Sequence, residues 1–281
     1  MGDCKFFDLQ KGILNNRMDT LFPDWNAPEE SVMILSPHDD DALLGTGYVI
    51  DLLVRQGVPV TVVIFCKGDA GYSDPALRES IVDIRKKETI AAYQILGLKA
   101  SNIIFLDRPD FGLRRHVAWD GLDKENGLFG EMIRLFRKLG MTRLLVANGY
   151  REHSDHTAVN DVGMFDGIQS CDPILADFGP VSHLKSTHVY SVWADFSPED
   201  ALISGRSVEL RANMGIAVDE SVEKRIGQAL RAYVSQGKII DDLILRRKTK
   251  KSNKGYIELY QWIDPRPQLR YAPYVQWLDQ L

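Results

Sequence analysis

Ser36-Pro37-His38-Asp39-Asp40-Asp41 places one imidazole and three consecutive carboxylates directly after a short apolar run. Helix capping and the helix dipole account for one or two of these aspartates. Three in a row beside a histidine repel one another unless a cation neutralises them. A second cluster, His153-Ser154-Asp155-His156, also follows an apolar run. The two clusters hold three of the six histidines and four aspartates, and together they point to a shared metal site. Two imidazoles and one carboxylate with an open coordination position form the usual hydrolytic zinc set, so zinc is the expected occupant. Iron in a two-His, one-carboxylate facial site is the chemical rival. His116, His183 and His188 have no acidic neighbour at ligand spacing and read as structural or surface residues.

Such clusters need strand ends to hold them. The continuous apolar runs 32–35 and 60–65 fit strands covered on both faces. Further strands are expected at 102–106, 143–147 and 188–193, with helical patterns near 43–55, 79–96 and 126–139. This alternation predicts an α/β, Rossmann-like, mostly parallel sheet with helices on both faces. Ligands of such sheets bind at the carboxyl ends of the strands, where both clusters fall. Beyond them, 218–236 reads as one helix, 237–255 as a basic connector and 255–263 as a strand. The tail with Pro265, Pro267 and Pro273 reads as extended chain packed on the body. The whole, 1–281, reads as a single domain with an N-terminal extension 1–30 and a C-terminal excursion and tail 237–281.

Several function classes are disfavoured. With 34 basic and 39 acidic side chains, the net charge of -5 gives no reason to expect a nucleic-acid partner. The one basic run, Arg246, Arg247, Lys248, Lys250, Lys251 and Lys254, reads as a solvated loop or helix end. Cys4, Cys66 and Cys171 show no paired spacing, which fits a reducing compartment and no disulfide framework. The N-terminus lacks signal-peptide features, and no apolar run approaches the roughly 20 residues of an integral membrane segment, so a cytoplasmic protein is expected. An acidic turn after the first strand, in place of a Gly-rich phosphate loop, argues against a nucleotide-binding enzyme.

In order and context the two clusters resemble the PIG-L/LmbE family of zinc-dependent N-deacetylases. That family's first motif runs His-Pro-Asp-Asp-Glu, two residues, Gly. Here His38-Asp39-Asp40-Asp41-Ala42-Leu43-Leu44-Gly45 keeps the His, both Asp and the Gly in register, with Asp39 in place of Pro and Ala42 in place of Glu. The likeness continues through Gly68-Asp69-Ala70-Gly71, Arg85 to Glu88, Leu96-Gly97 and Asp107 to Gly112. His153 to His156 matches the second motif, His-Pro-Asp-His, and Ser235-Gln236 and Glu258 match weaker positions.

The resemblance implies an LmbE-like fold with His38, Asp41 and His156 as zinc ligands and Asp40 as general base. It places His153 at the oxyanion or as the acid for the leaving amine, with Asp155 orienting that imidazole. It puts Arg85 and Asp110 on sugar hydroxyls. The expected function is a zinc-dependent hydrolase removing an N-acetyl group from an amino sugar or sugar conjugate, a small-molecule substrate. The alternatives are a zinc amidase for a larger acyl or thiol conjugate and an inactive binding protein. The segments 109–126, 149–179 and 237–255 are the expected pocket walls. Tyr271, Tyr274 and Trp277 fit either the core or the interface of a homo-oligomer.

Overall fold

The computed structural model describes residues 4–120, 127–264, 266 and 268–281. The chain opens with an antiparallel pair, β1 (Lys5–Asp8) and β2 (Ile13–Asn15). An alternating region follows: β3 (Val32–Ser36), α1 (Asp41–Arg55), β4 (Val60–Cys66), α2 (Ile81–Ile95), β5 (Ile103–Arg108), α3 (Leu128–Lys138), β6 (Arg143–Ala147), α4 (Ser154–Gln169) and β7 (Ser186–Tyr190). The short α5 (Pro198–Ile203) precedes β8 (Met214–Val218) and α6 (Glu220–Leu230). Then come α7 (Gly237–Arg246), β9 (Lys251–Ser252), β10 (Gly255–Ile263) and α8 (Ala272–Leu278).

The strands form one sheet in the order β2-β1-β8-β10-β7-β6-β3-β4-β5, with β9 beside β10. Its central half is parallel: β3 pairs with β4 and β6, β4 with β5, and β6 with β7. An antiparallel wing is added where β10 pairs with β7 and β8, and β8 with β1. Every residue of β3 and β6 is buried, as expected of strands covered on both faces. Val32, Ile34, Val62 and Ile64 pack under α1, α2 and α6 with Leu43, Tyr93 and Ile226. Met33, Leu35, Val63 and Phe65 pack under α3 and α4 with Phe136, Val159 and Val162. A Cβ on Gly163 would come 2.7 Å from Val146, so glycine lets α4 lie directly on β6.

The chain leaves β3 towards β4 on one side, and β6 joins on the other. The β3–β6 seam is therefore the topological switch point, where α/β sheets bind ligands. A buried ion pair fixes the entry to that seam. Arg143 at the start of β6 donates from Nε to Glu30 Oε2 at 2.9 Å and from Nη2 to Glu30 Oε1 at 2.8 Å.

Several expectations need correction. Residues 218–236 are not one helix: β8 ends at Val218, α6 stops at Leu230, and a 3-10 turn spans Val234–Gln236. The supposed connector contains α7, and the basic run is not simply solvated, because Arg247 is buried and donates to both oxygens of Glu223 at 3.0 and 2.8 Å. The tail is not extended chain packed on the body. Pro273 sits in α8, whose Tyr274 and Trp277 are exposed. Asn126, where the third helix was expected to begin, and Pro265 and Pro267 lie outside the described residues. Among the described residues no helix is long and apolar enough to cross a membrane.

Candidate metal centre

The turn after β3 is built by its own side chains. Ser36 Oγ donates to the His38 carbonyl at 2.5 Å and accepts the Ala42 amide at 3.0 Å, while the Pro37 carbonyl receives the Cys66 amide at 2.9 Å. Asp40 stands at the N-cap of α1 but makes no capping hydrogen bond. Its carboxylate is left for other work. Asp41, one residue on, is buried, and its Oδ2 accepts the His38 amide at 2.8 Å.

The turn after β6 brings His156 to the same oxygen. His38 Nδ1 and His156 Nε2 each lie 3.1 Å from Asp41 Oδ2, and ligand atoms of all three residues fall within 4.8 Å of one another. Two ligands about 2.0–2.1 Å from a tetrahedral zinc are roughly 3.3 Å apart, so the spacing suits that ion. Neither ring nitrogen of buried His156 has a hydrogen-bond partner of acceptable geometry. This orphaned pair in a His-Asp-His donor set fits a metal ligand.

Charges follow the same logic. Burial alone would push the Asp41 carboxyl up, but His156 and His38 outweigh it and hold the group well below the usual carboxylate range. Burial disfavours a charged His156, yet Asp41 and Glu152 outweigh that and raise it to about 9. Burial, followed by the charges of Asp41 and Asp39, raises Asp40 to about 7, against the opposing pull of Arg85 and His38. A divalent cation held by these residues would take the place of the protons and favour the ionised form of Asp40.

Around this set the placements differ from expectation in instructive ways. His153 caps α4, and its Nδ1 accepts the Asp155 amide at 3.2 Å. The neutral ring therefore carries its proton on Nε2. The Asp155 carboxylate does not serve His153 alone: Oδ2 is 3.4 Å from both His38 Nε2 and His153 Nδ1, and it accepts the Phe111 amide at 2.8 Å. Burial would raise Asp155, but the bonds from His38 and Phe111 win and its pKa is lowered. An anionic Asp155 thus holds the imidazole of His38.

Arg85 and Asp110 are not an open sugar clamp. Arg85 is 6% exposed and grips Asp39 through Nε at 2.9 Å and through Nη2, with Thr89 adding a bond to the same carboxylate at 3.1 Å. Asp110 spends its oxygens on the Gly68 and Ala70 amides at 2.9 and 3.0 Å, pinning the loop after β4. Gln236 donates to the Gly71 carbonyl from the other side of that loop. Glu258 accepts the Tyr48 amide at 3.0 Å, close to the non-helical Thr46 that kinks α1. A cavity of about 570 Å³ on the antiparallel wing, lined by Phe7, Leu14, Leu210, Ile257 and Leu259 among others, shares no residue with this centre.

Two residues escaped sequence reasoning. Glu152 Oε2 lies 2.5 Å from His156 Nδ1, and its other oxygen accepts Ser191 Oγ and the amides of Val192, Trp193 and Ala194. The four-residue step from Glu152 to His156 was the available signal. Phe111 is 70% exposed, holds φ at 59°, and sets its ring 4.5 Å from that of His153. A bulky residue in the left-handed region beside a metal set is a strained position of the kind found at working sites.

Comparison with known proteins bears on the fold and on the stretch that carries the two clusters. Over 75 residues the chain is 40% identical to the protein named Probable N-acetyl-alpha-D-glucosaminyl L-malate deacetylase 2 of Bacillus cereus, covering 25% of this chain and 34% of that protein. It is 30% identical over 95 residues to 4-oxalmesaconate hydratase of Pseudomonas putida, covering 32% of this chain and 36% of that one. The chain thus matches only about a third of the length of these relatives. The fold is that of N,N'-diacetylchitobiose deacetylase from Pyrococcus horikoshii, with a TM-score of 0.64 at 19% identity over 84% of both chains. The PIG-L family, described as GlcNAc-PI de-N-acetylase, matches residues 33–165, a stretch that contains both clusters and every side chain of the His-Asp-His set. Over that stretch the chain is similar to the PIG-L family.

Proposed function

We propose that the chain is a zinc-dependent N-deacetylase of an amino sugar or sugar conjugate. The observation that carries this reading is the convergence of His38, Asp41 and His156 beside an uncapping Asp40. Held by those three side chains, zinc would acidify a water molecule and polarise the amide carbonyl. Asp40 then takes the proton of the attacking water. His153, with its proton on Nε2, donates to the oxyanion or to the departing nitrogen. Asp155 and Glu152 keep the ligand imidazoles in place. The acyl carbon gains the water oxygen, the C–N bond breaks, the nitrogen takes a proton, and acetate and a free amine result.

The named relatives support acetylated sugar conjugates as the substrate class. Hydration of a carbon–carbon double bond has one observation in its favour, the match to the Pseudomonas putida hydratase, and it would use a water activated in the same way. The deciding experiment measures bound metal and then acetate release from N-acetylglucosamine, diacetylchitobiose and glucosaminyl conjugates, with Asp40→Asn as control. Zinc near one per chain and acetate release lost in the variant are expected. Zinc without acetate from any sugar would overturn the deacetylase reading in favour of another hydrolysis or a hydration.

A further inference from the structure

His38 belongs to more than one donor set. A ligand atom of His38 also lies within 4.8 Å of ligand atoms of Cys66 and Asp110. These three residues come from adjacent strand ends: His38 follows β3, Cys66 closes β4, and Asp110 follows β5. The β4–β5 register shifts between Ile64 and Cys66, and both Phe65 and Cys66 are buried towards the α3–α4 side. The irregularity sets the thiol beside the imidazole. Asp110 cannot swing away, because both its oxygens are bound by loop amides, yet each oxygen keeps a lone pair for a cation. The imidazole itself has two ring nitrogens, Nδ1 facing Asp41 and Nε2 facing Asp155.

A buried cysteine is most often a small apolar filler. Cys66 differs in having an imidazole and a carboxylate at ligand distance, whereas neither Cys4 nor Cys171 belongs to any such set among the described residues. Thiolate, imidazole and carboxylate together select zinc or a softer divalent ion such as cadmium over magnesium or calcium.

We propose that Cys66, Asp110 and His38 form a second position for a thiophilic divalent cation, and that filling it inhibits the enzyme by drawing on the histidine the His-Asp-His set requires. Binding transfers the thiol proton and, because Nδ1 of His38 serves the first set, its Nε2 proton to solvent, and forms metal–sulfur and metal–nitrogen bonds with no change of oxidation state. The inhibitory half rests on the deacetylase reading; the binding half does not.

The test starts with protein carrying one equivalent of zinc and titrates cadmium while following the ultraviolet thiolate-to-cadmium charge-transfer band and proton release. Wild type is expected to take up a single further cation with that band and to release two protons. Cys66→Ser and Cys66→Ala are both expected to lose the band and the thiol's proton release while keeping the first equivalent of zinc. In the activity assay, the concentration of excess zinc needed for half-inhibition should rise in both variants. The rise should be at least the ~10–100-fold that losing a mere orienting partner costs at metal sites. No band in wild type, or a band that persists in the variants because it arises at Cys4 or Cys171, overturns the site. A band that is lost while excess-zinc inhibition stays unchanged overturns the inhibitory role. If no sugar releases acetate, the titration still decides the site by itself.

Discussion

Glu152 is the sharpest place to perturb the metal centre without touching a ligand. Its Oε2 sits 2.5 Å from His156 Nδ1, a placement that favours the ring proton on Nδ1 and leaves Nε2 bare to face Asp41 Oδ2 at 3.1 Å. In Glu152→Gln the remaining carbonyl oxygen still satisfies the amides of Val192, Trp193 and Ala194, which the Glu oxygen accepts at 3.0, 3.2 and 3.3 Å. The new NH₂ group then faces Nδ1, which must accept, and the ring proton moves to Nε2, where a metal needs a lone pair. Loss of such an orienting carboxylate costs about 10–100-fold in metal affinity, or roughly 1.4–2.7 kcal/mol, and the tautomer conflict argues for the upper end. The assay is competition for zinc against a chelator of known affinity, with urea unfolding of both proteins in excess chelator as a separate stability control. An affinity within about threefold of wild type, with metal-free stability unchanged, would refute the claim that Glu152 sets the His156 tautomer.

Three further outcomes follow from the structure. Asp40→Asn should keep its zinc and lose about 10²–10⁴-fold in kcat, as expected when a general base is removed, checked by metal analysis beside acetate release. Glu30→Gln leaves the fully buried Arg143 without its counter-charge and should cost about 3–5 kcal/mol in urea unfolding. Arg143 and Thr142 outweigh burial to hold Glu30 at about 2, so the pair's contribution should be complete above about pH 4.5 and fade as pH falls towards 2. Asp166 is buried with neither oxygen hydrogen-bonded among the described residues, and burial pushes it up to about 9. The native chain therefore holds the extra proton, and stability falls as pH rises from about 4 towards 9. Asp166→Asn should gain about 1–3 kcal/mol near pH 8 and nothing near pH 4, read from unfolding curves at the two values.

The parts of the fold legible in the sequence were those with a local physical signature. Runs such as 32–35 and 60–65, the second broken only by Thr61, are almost wholly apolar because both faces of β3 and β4 are covered. Strand β8 hid because Gly215 interrupts its apolar pattern. A Cβ there would come 2.2 Å from the Phe7 ring of β1, a constraint visible only once the strands are paired. Helix α7 hid behind the basic run that follows it, since Arg247 reads as solvent-facing until its partner Glu223, 24 residues away, is found. The site divides in the same way. His38, Asp41 and His156 announced themselves by residue type in two short clusters. Glu152 is a single carboxylate in a polar turn, distinguished only by its spacing from His156.

Arg85 shows what residue type alone conceals. An arginine on a helix beside an acidic cluster reads as a ligand-binding fork, but its best partner here is Asp39, 46 residues away, at the position where the family motif carries proline. Proline there could offer the guanidinium nothing. Aspartate closes two of its arms and anchors α2 to the metal turn, with Thr89 joining the same carboxylate. Asp110 is likewise occupied by two amides. With Arg85 engaged by Asp39, the side chain standing open beside His153 is Phe111, whose ring is apolar and 70% exposed. A flat hydrophobic face suits the C–H surface of a sugar ring or an acyl chain better than it suits a charged headgroup. Under the proposed deacetylase function, recognition at this rim would fall to stacking, with orientation left to His153 and Asp40.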